Sequence, residues 1–476
     1  MAPASSKFTS SILPLIAVAA LSACATPDPD AAVRDFGTLI ATRTSDPIVW
    51  RTGGPEDAAV DARVQGLLSE PLTAEAAVAV ALLNNRGQQA RYAELGLAQA
   101  DLVEAGLLEN PMFEVMVRPS TESGTNLEFG LVQNFVSLLM RPARQKIAQA
   151  EYENVQLELA ADLIAFTAEV RSAYFAHVGA RNQREAVAAI ASTARDAADL
   201  AKAFHTAGNI TELELVEFQA DAEEASVASM DAEQEVAATE IDLIELLGLP
   251  STADWSLPTR LPALPDQILV TATLEDQALR ERFDLQAMRA GLRAAADHLG
   301  LKQNFRLLDD MELGVSAERE PEGEWLIGPS LEFPLPIFDQ GQGRVTHALL
   351  ELRQLQDELV AKEASVRAEV RRATTALTVN RQKAAHLLDI LLPLKQRLTR
   401  LTLAEYNYML TGAFEVLEAQ QHENEVYREH LEALTDYWIA RAELMAAVGG
   451  QLDRPQQAQT ETDPNSTDAK ILGDAS

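Results

Sequence analysis

Apolar residues recur at every third or fourth position along most of this chain, which is the spacing of amphipathic helices, but at two places the period drops to two. In the first, Phe113, Val115 and Val117 alternate with Glu114, Met116 and Arg118; a turn-like STESGT leads on to a second alternating stretch, Asn126–Val136. The second comprises Met311–Glu318, the turn REPEGE, and Trp325–Phe338, where Trp325, Ile327, Leu331, Phe333 and Leu335 alternate with Gly328, Ser330 and Glu332. Period two predicts strands, and Pro334 and Pro336 keep the last one out of the middle of an ordinary sheet. Helical patterns surround both hairpins. Leu72–Leu108 precedes the first and ends at Asn110-Pro111, while Pro142–Thr206 and Thr211–Leu247 follow it. Leu274–Gln303 precedes the second, and Arg344–Leu410 and Phe414–Val448 follow.

The same series of elements therefore occurs twice, on either side of the Pro-rich segment Gly248–Pro265. Leu213-Glu214-Leu215-Val216-Glu217-Phe218-Gln219 parallels Phe414-Glu415-Val416-Leu417-Glu418-Ala419-Gln420, and the two stand equally far before Gly248 and Gly449. Gly130 to Phe135 repeats the spacing of Gly328 to Phe333. Such internal similarity marks a tandem repeat. The expected organisation is a signal segment (1–23), an N-terminal segment (24–71), a first repeat (72–248), an inter-repeat linker (249–272), a second repeat (273–450) and a polar tail (451–476) that is expected to be disordered.

Residues 344–410 as one helix would extend roughly 100 Å, far beyond a globular average. Val345, Leu349, Leu352, Leu355 and Leu359 give it a coiled-coil seam. Gly179 is the one breaker in the first long helix, and Pro393 is expected to kink the second. The shorter runs, laid end to end, match one long helix. This predicts an antiparallel bundle in which each continuous helix lies beside two stacked short ones.

Each half thus carries one hairpin at an extremity of a helical shaft. The strands have the length needed to cross an outer membrane at a tilt. Aromatic residues, scarce elsewhere, gather there as Phe113, Phe129, Phe135, Trp325, Phe333 and Phe338, in the manner of a barrel girdle. Four strands cannot close a barrel, and open edges in lipid leave backbone groups unsatisfied, so other copies of the chain must complete it. In this reading Gly328–Phe338 is a membrane strand and Asp339–Gly343 the hinge into the shaft.

Charge and the N-terminus sharpen the picture. The chain holds 72 Asp and Glu against 39 Lys and Arg, which argues against nucleic acid as a partner and suits a lumen that attracts cations. Lys7, the apolar run Ile12–Ala20 and Leu21-Ser22-Ala23-Cys24 form a secretory signal ending in a lipobox. Cys24 is the single cysteine and the expected site of lipidation; several acyl chains on it would hold the protein to membrane lipid where one binds only marginally. Disulfides and thiolate metal sites are thereby excluded, and no cofactor is expected. Neither H-E-x-x-H, nor G-x-S-x-G, nor a phosphate-cradling glycine loop occurs, so an enzyme is not expected.

The stretch GPSLEFPLPIFDQGQGR resembles the strand-to-helix passage of the TolC family of outer-membrane efflux channels. Ala81–Pro111 is similar to that family's first shaft helix, and Ala207–Ala220 to its helix-tip turn; the lipobox adds likeness to the lipidated members. The resemblance spans roughly residues 60–450. It implies a mainly α fold with a small membrane β part: a homotrimer whose tandem-repeat helices form a coiled-coil barrel across the periplasm, below a shared transmembrane β-barrel of four strands per chain. It further implies an outer-membrane location and two partners, a periplasmic adaptor and an inner-membrane pump. Glu415 and Glu418 match the acidic positions that ring the periplasmic entrance, where six carboxylates in three copies would favour cations. Gly208 and Gly412 match the helix-tip glycines at which an adaptor would dock, each expected to be a left-handed turn residue. Glu214 and Glu217 read instead as a solvated helix face. For cargo, LAEYNYMLTGAFEVLEAQQ and LTDYWIARAELMAAVGG point toward copper or other heavy metals, with drugs as the alternative. His422 and His430 are not spaced to share a metal, and Met409 and Met445 read as packing. The rival class is a lipid-anchored periplasmic coiled-coil scaffold without a pore.

Overall fold

The computed structural model describes residues 29–41, 43, 48–120, 124–265, 271–306, 311–320, 324–333 and 335–452. The signal segment, the lipidation position Cys24 and nearly all of the C-terminal tail lie outside the described residues. Helices α1 (Pro29–Ile40) and α2 (Asp57–Leu68) lead into the first series: α3 (Ala74–Asn84), α4 (Arg86–Gly106), β1 (Met112–Ser120), β2 (Gly124–Asn134), α5 (Phe135–Thr206) and α6 (Glu212–Leu247). The second series is α7 (Thr271–Glu281), α8 (Phe283–Asn304), β3 (Glu312–Arg319), β4 (Trp325–Glu332), α9 (Gln342–His386), a π turn (Leu387–Leu391), α10 (Leu392–Asn407) and α11 (Ala413–Ala447).

Helix α5 has 72 residues and is about 108 Å long. It begins at Phe135, capped by Asn134, and absorbs Pro142 instead of starting there. On one side of it α4 and α6 stack end to end; on the other α8 and α11 do the same, and α9 with α10 lies beyond them. The shaft of one chain is thus four rows of helix. Gly179 lets α5 and α11 approach closely, since a Cβ there would sit 2.3 Å from Thr435 Oγ1. Pro393 lacks the N–H that would bond the carbonyl of Asp389, and the widened π turn just before it takes up the misfit. The seam of α9 runs through Ala348, Leu352, Leu355 and Leu359, while Leu349, expected in that seam, is exposed.

Three expected elements are corrected. Leu72–Leu108 is not one helix: α3 and α4 break at Asn85, and Leu274–Gln303 likewise breaks at Arg282. Each break receives the end of a return helix. Asn84 Nδ2 donates to the carbonyls of Leu247 (3.1 Å) and Gly248 (2.7 Å), and Asn85 Nδ2 to those of Glu245 (3.3 Å) and Leu246 (3.0 Å). Carbonyls that a helix end leaves open are satisfied in this way. In the second repeat Arg282 donates to Ala447 O at 3.4 Å. The closing glycines turn left-handed against these breaks, Gly248 at φ 65° and Gly449 at φ 95°. The third correction concerns Trp325–Phe338. Strand β4 stops at Glu332, and the proline-punctuated residues beyond it approach α9 without pairing.

The two lower tips end alike. Asn209 N–H reaches back to Phe204 O (2.9 Å) and Gly208 N–H to His205 O (2.9 Å); Leu410 N–H reaches Glu405 O (3.0 Å) and Met409 N–H reaches Tyr406 O (2.8 Å). Both are Schellman closures, which place one residue in the left-handed region. In the first tip that residue is Gly208, at φ 76°; in the second it is Met409, at φ 60°, the single non-glycine with positive φ among the described residues. The expected role of Gly412 is therefore corrected. It is extended (φ −89°, ψ 174°) and is the N-cap of α11, where the first repeat has Thr211. Glycine was sought at both tips because it is the usual left-handed residue, and the second tip holds a methionine there against that preference.

A collar surrounds mid-shaft. Phe36 and Ile40 of α1, Val60 and Val64 of α2, Leu82 and Leu83 of α3, and Leu257 and Leu261 of the linker share one core with Leu163 and Val170 of α5. Linker residues without regular secondary structure are pinned by side chains: Asn182 Nδ2 donates to Thr259 O (2.6 Å), and Trp438 Nε1 to Pro262 O (2.9 Å).

A methyl group on Gly248 would lie 2.9 Å from Asn85 Cα and 3.0 Å from Asn84 O. Gly248→Ala should lower unfolding stability by about 2 kcal/mol, whereas Gly343→Ala, with open space around it, should be close to neutral; chemical denaturation compares them. At the tips, Met409→Gly should stabilise by about 1 kcal/mol and Gly208→Ala should cost a similar amount, read as the rate of proteolytic nicking of each tip.

Candidate functional site

The four strands form one antiparallel sheet in the order β1-β2-β3-β4, so the hairpins of the two repeats pair with each other through β2 and β3. The register gathers apolar side chains on one face. Val115, Phe129, Ala317 and Ile327 are mutually paired and share that face, as do Phe113, Leu131, Val315 and Pro329. The opposite face is mixed: Glu114, Gly130, Ser316 and Gly328 form one row, and Met116, Glu128, Glu318 and Leu326 another. Phe129 stacks on Phe113 (6.4 Å between centroids) and reaches past the small Ala317 to Trp325 (6.0 Å), which makes an aromatic band across the apolar face. That face is open: Phe113 is 67% exposed and Ile327 72%. No helix among the described residues is long and apolar enough to cross a membrane. Its β1 and β4 edges have no partner strand among the described residues.

Below the sheet, the shaft has two outer rows of helix that face no other long helix. On α6 the side away from α5 exposes Leu213, Val216, Val227, Met230 and Ile241; on the far side of α9 and α10, Leu350, Val360, Val379, Ile390, Leu394 and Leu401 are exposed. Exposed apolar rows of this length on a soluble shaft mark contact surfaces.

At the lower end the expected entrance residues fall as follows. Glu415 lies in the first turn of α11, with Oε2 2.7 Å from where a Cβ on Gly412 would sit, so its carboxylate folds back over the N-cap. Glu214 does the same in the first repeat. There it completes a capping box, accepting from Thr211 N–H at 2.7 Å and Thr211 Oγ1 at 2.8 Å, while its own N–H donates to Thr211 Oγ1 at 3.2 Å. Those hydrogen bonds hold its pKa below the ordinary carboxylate value. Glu214 is exposed, as a solvated face requires, and it caps the helix as well; a T-x-x-E box at a helix start carried that second signal. Glu418 borders a cavity of about 270 Å³ with Phe218, Asp221, Phe414 and His422. Gly208 sits at the tip turn with open space around it. His430 is buried, its Nδ1 3.0 Å from Ala384 O. Among the described residues no group of three or more His, Cys, Asp or Glu is placed to hold a metal ion.

Two features escaped sequence reasoning. Phe414 sits between Phe218 (stacked, 4.5 Å) and Phe204 (edge-on, 5.4 Å), which ties the second tip to the first and levels them. The other is a mid-shaft cluster where α8 meets α11. Arg282 binds Asp284 (2.6 and 3.0 Å) and Glu369 (2.5 Å), and Lys362 Nζ is 3.0 Å from Asp284. Burial alone would raise the pKa of Asp284, but Arg282 and Lys362 outweigh it and keep the carboxyl below its usual range. The cluster lines a groove of about 820 Å³ between α5 and α9. An arginine immediately before Phe283-Asp284 was the available signal, hidden inside what reads as unbroken helix.

The family model described as outer membrane efflux protein matches residues 119–249 and 274–450. The cobalt-zinc-cadmium resistance protein CzcC of Cupriavidus metallidurans is 26% identical over 368 residues, 74% of this chain and 84% of that protein. Among solved structures, the outer membrane channel CmeC of Campylobacter jejuni superposes with a TM-score of 0.67 at 15% identity, covering 79% of this chain and 85% of that one. CusC, whose structures concern transmembrane channel formation, gives 0.64 at 16% identity over 79% and 92%. The fold is that of these channels. With a family model that spans both repeats, and a sheet whose apolar face suits the outer membrane, this chain belongs to the outer membrane efflux protein family.

Proposed function

We propose that three copies of this chain form the exit duct of a tripartite efflux system, passively conducting heavy-metal cations from a periplasmic adaptor and an inner-membrane pump to the exterior. The observation that carries the reading is the sheet: four strands with one apolar face and, among the described residues, no partner strand at either edge. Backbone groups on those edges would cost several kcal/mol each in hydrocarbon, and three such sheets supply the twelve strands of a closed barrel. The four-row shaft has unpartnered outer rows on both flanks, and the same closure covers them.

A cation cargo is supported by the likeness to CzcC, a cobalt-zinc-cadmium resistance protein, and by the acidic excess of the chain. Glu415 and Glu418 ring the periplasmic entrance, six carboxylates in three copies. The tips at Gly208 and Gly412 receive the adaptor, and lipid on Cys24 anchors the N-terminus to the membrane. In a planar bilayer the duct should conduct ions and prefer cations. Replacing both glutamates, Glu415→Gln with Glu418→Gln, should lower the cation-to-anion permeability ratio about twofold. Reversal potentials unchanged by the double replacement would remove the entrance assignment.

A further inference from the structure

We propose that the copies are joined by an acid–base seam, the free face of α6 in one copy lying along the free faces of α9 and α10 in the next; this rests on the multi-copy duct described above. Helix α6 carries Asp or Glu at positions 212, 214, 217, 221, 223, 224, 231, 233, 235, 240, 242 and 245, and no Lys, Arg or His. The stretch 371–404 is its complement: Arg or Lys at 371, 372, 381, 383, 395, 397 and 400, with Asp389 the only acid. Among the described residues no ion pair within 4 Å is made by any carboxylate of α6, nor by Arg372, Lys395, Arg397 or Arg400. Glu214 is taken up by its capping box, Arg371 by Glu275 and Arg381 by Pro265 O, and Arg372 lines the groove between α5 and α9. The remaining charges leave two surfaces opposite in sign, without ion pairs within 4 Å among the described residues at Glu223 on one and at Lys395, Arg397 and Arg400 on the other.

The register of the two faces agrees. The aromatic contact Phe204–Phe414–Phe218 sets both tips at one level, so heights can be counted from Glu212 on α6 and from Asn407 on α10. At about 1.5 Å per residue, Glu223 and Arg397 both stand about 16 Å above the tips. Val227 then faces Leu394 and Met230 faces Ile390, with Val216 and Ala220 bracketing Leu401. On each helix these residues recur by threes and fours along the exposed side, as a helix–helix contact requires. Charge also chooses the arrangement. Pairing α6 with α6 would set carboxylates against carboxylates, and α10 with α10 would oppose arginines, so the like-with-like dimer is disfavoured. Only the head-to-tail contact remains, and such contacts close into rings.

The test uses the full chain purified in nonionic detergent, with mass measured by light scattering at low and high salt. Glu223→Lys or Arg397→Glu alone should reduce the trimer fraction roughly tenfold at low salt, and the two together should restore it. Circular dichroism of each variant reports whether the helices are intact. Separately, Val227→Cys with Leu394→Cys should oxidise to a covalent ladder ending at three chains. If the ladder forms but the charge reversals, single or paired, leave the trimer fraction where it was, the acid–base seam is wrong and the duct stands. A seam variant that loses its trimer and is not rescued by the paired reversal also overturns the proposal. If the unaltered chain is monomeric at every salt concentration and passes no current, and the double-cysteine variant forms no ladder, the duct itself is wrong.

Discussion

A backbone hydrogen bond left open in hydrocarbon is the constraint on which the rest of this molecule depends. The sheet has an apolar face, which commits it to lipid, and two unpaired edges, which lipid does not tolerate. One chain cannot resolve that conflict. Everything below the sheet has the same unfinished character: four rows of helix, with exposed leucines and valines on the outermost ones. A single protomer is therefore a segment cut from a closed wall, and its surface is intelligible only when the cut edges are imagined rejoined. The passage it contributes to lies between copies.

Much of this was legible from the sequence because the deciding signals are periodic. A switch from a spacing of three and four to a spacing of two locates the first three strands within about two residues and the start of the fourth, which ends six residues sooner than the alternation suggests. The doubling of the pattern exposed the repeat. What failed to appear are features that do not alter periodicity. The breaks at Asn85 and Arg282 leave the helical spacing on both sides intact, and nothing local announces that a distant helix end will dock there; the contact that makes the break is with residues some 160 positions later. The tip at Met409 was missed for the opposite reason. A strong local rule, glycine at a left-handed turn, pointed to Gly412, and the fold overrode it by closing the helix three residues earlier. Of the site residues, Glu415 and Glu418 could be placed at the start of a helix but not aimed, because the fold-back of Glu415 over Gly412 and the cavity beside Glu418 depend on contacts that spacing does not record.

The repeats show one architectural demand met by two chemistries. The end of α6 is capped by amides, Asn84 and Asn85, while the end of α11 is reached by the guanidinium of Arg282, which also binds Asp284 and Glu369. An amide satisfies carbonyls without charge and suits the enclosed collar side, where α3 packs among leucines. A guanidinium brings charge that must itself be balanced, and it is balanced by residues of α8 and α9 lining the open groove. Duplication supplied the joint twice, and the surroundings determined which side chain could serve it.

That divergence has a consequence for assembly. Because the repeats run in the same sense across the protomer, one flank is a row of short helices and the other a long helix, and a wall made of such pieces has a direction. Here the flanks come from different elements, the return helix of the first repeat and the long helix of the second, and they differ in charge: α6 holds no basic residue, whereas residues 371–404 hold a single acid. The apolar rows provide contact area but cannot by themselves tell one flank from the other, since leucine and valine meet either. Charge makes the distinction, because it penalises every like pairing while it costs the correct one little. An edge strand must find a neighbour whose own edge runs antiparallel to it, and only a head-to-tail ring offers that all the way round. The sign of the shaft flanks and the hydrogen bonds of the strand edges thus enforce the same order, one from the aqueous side of the membrane and the other from within it.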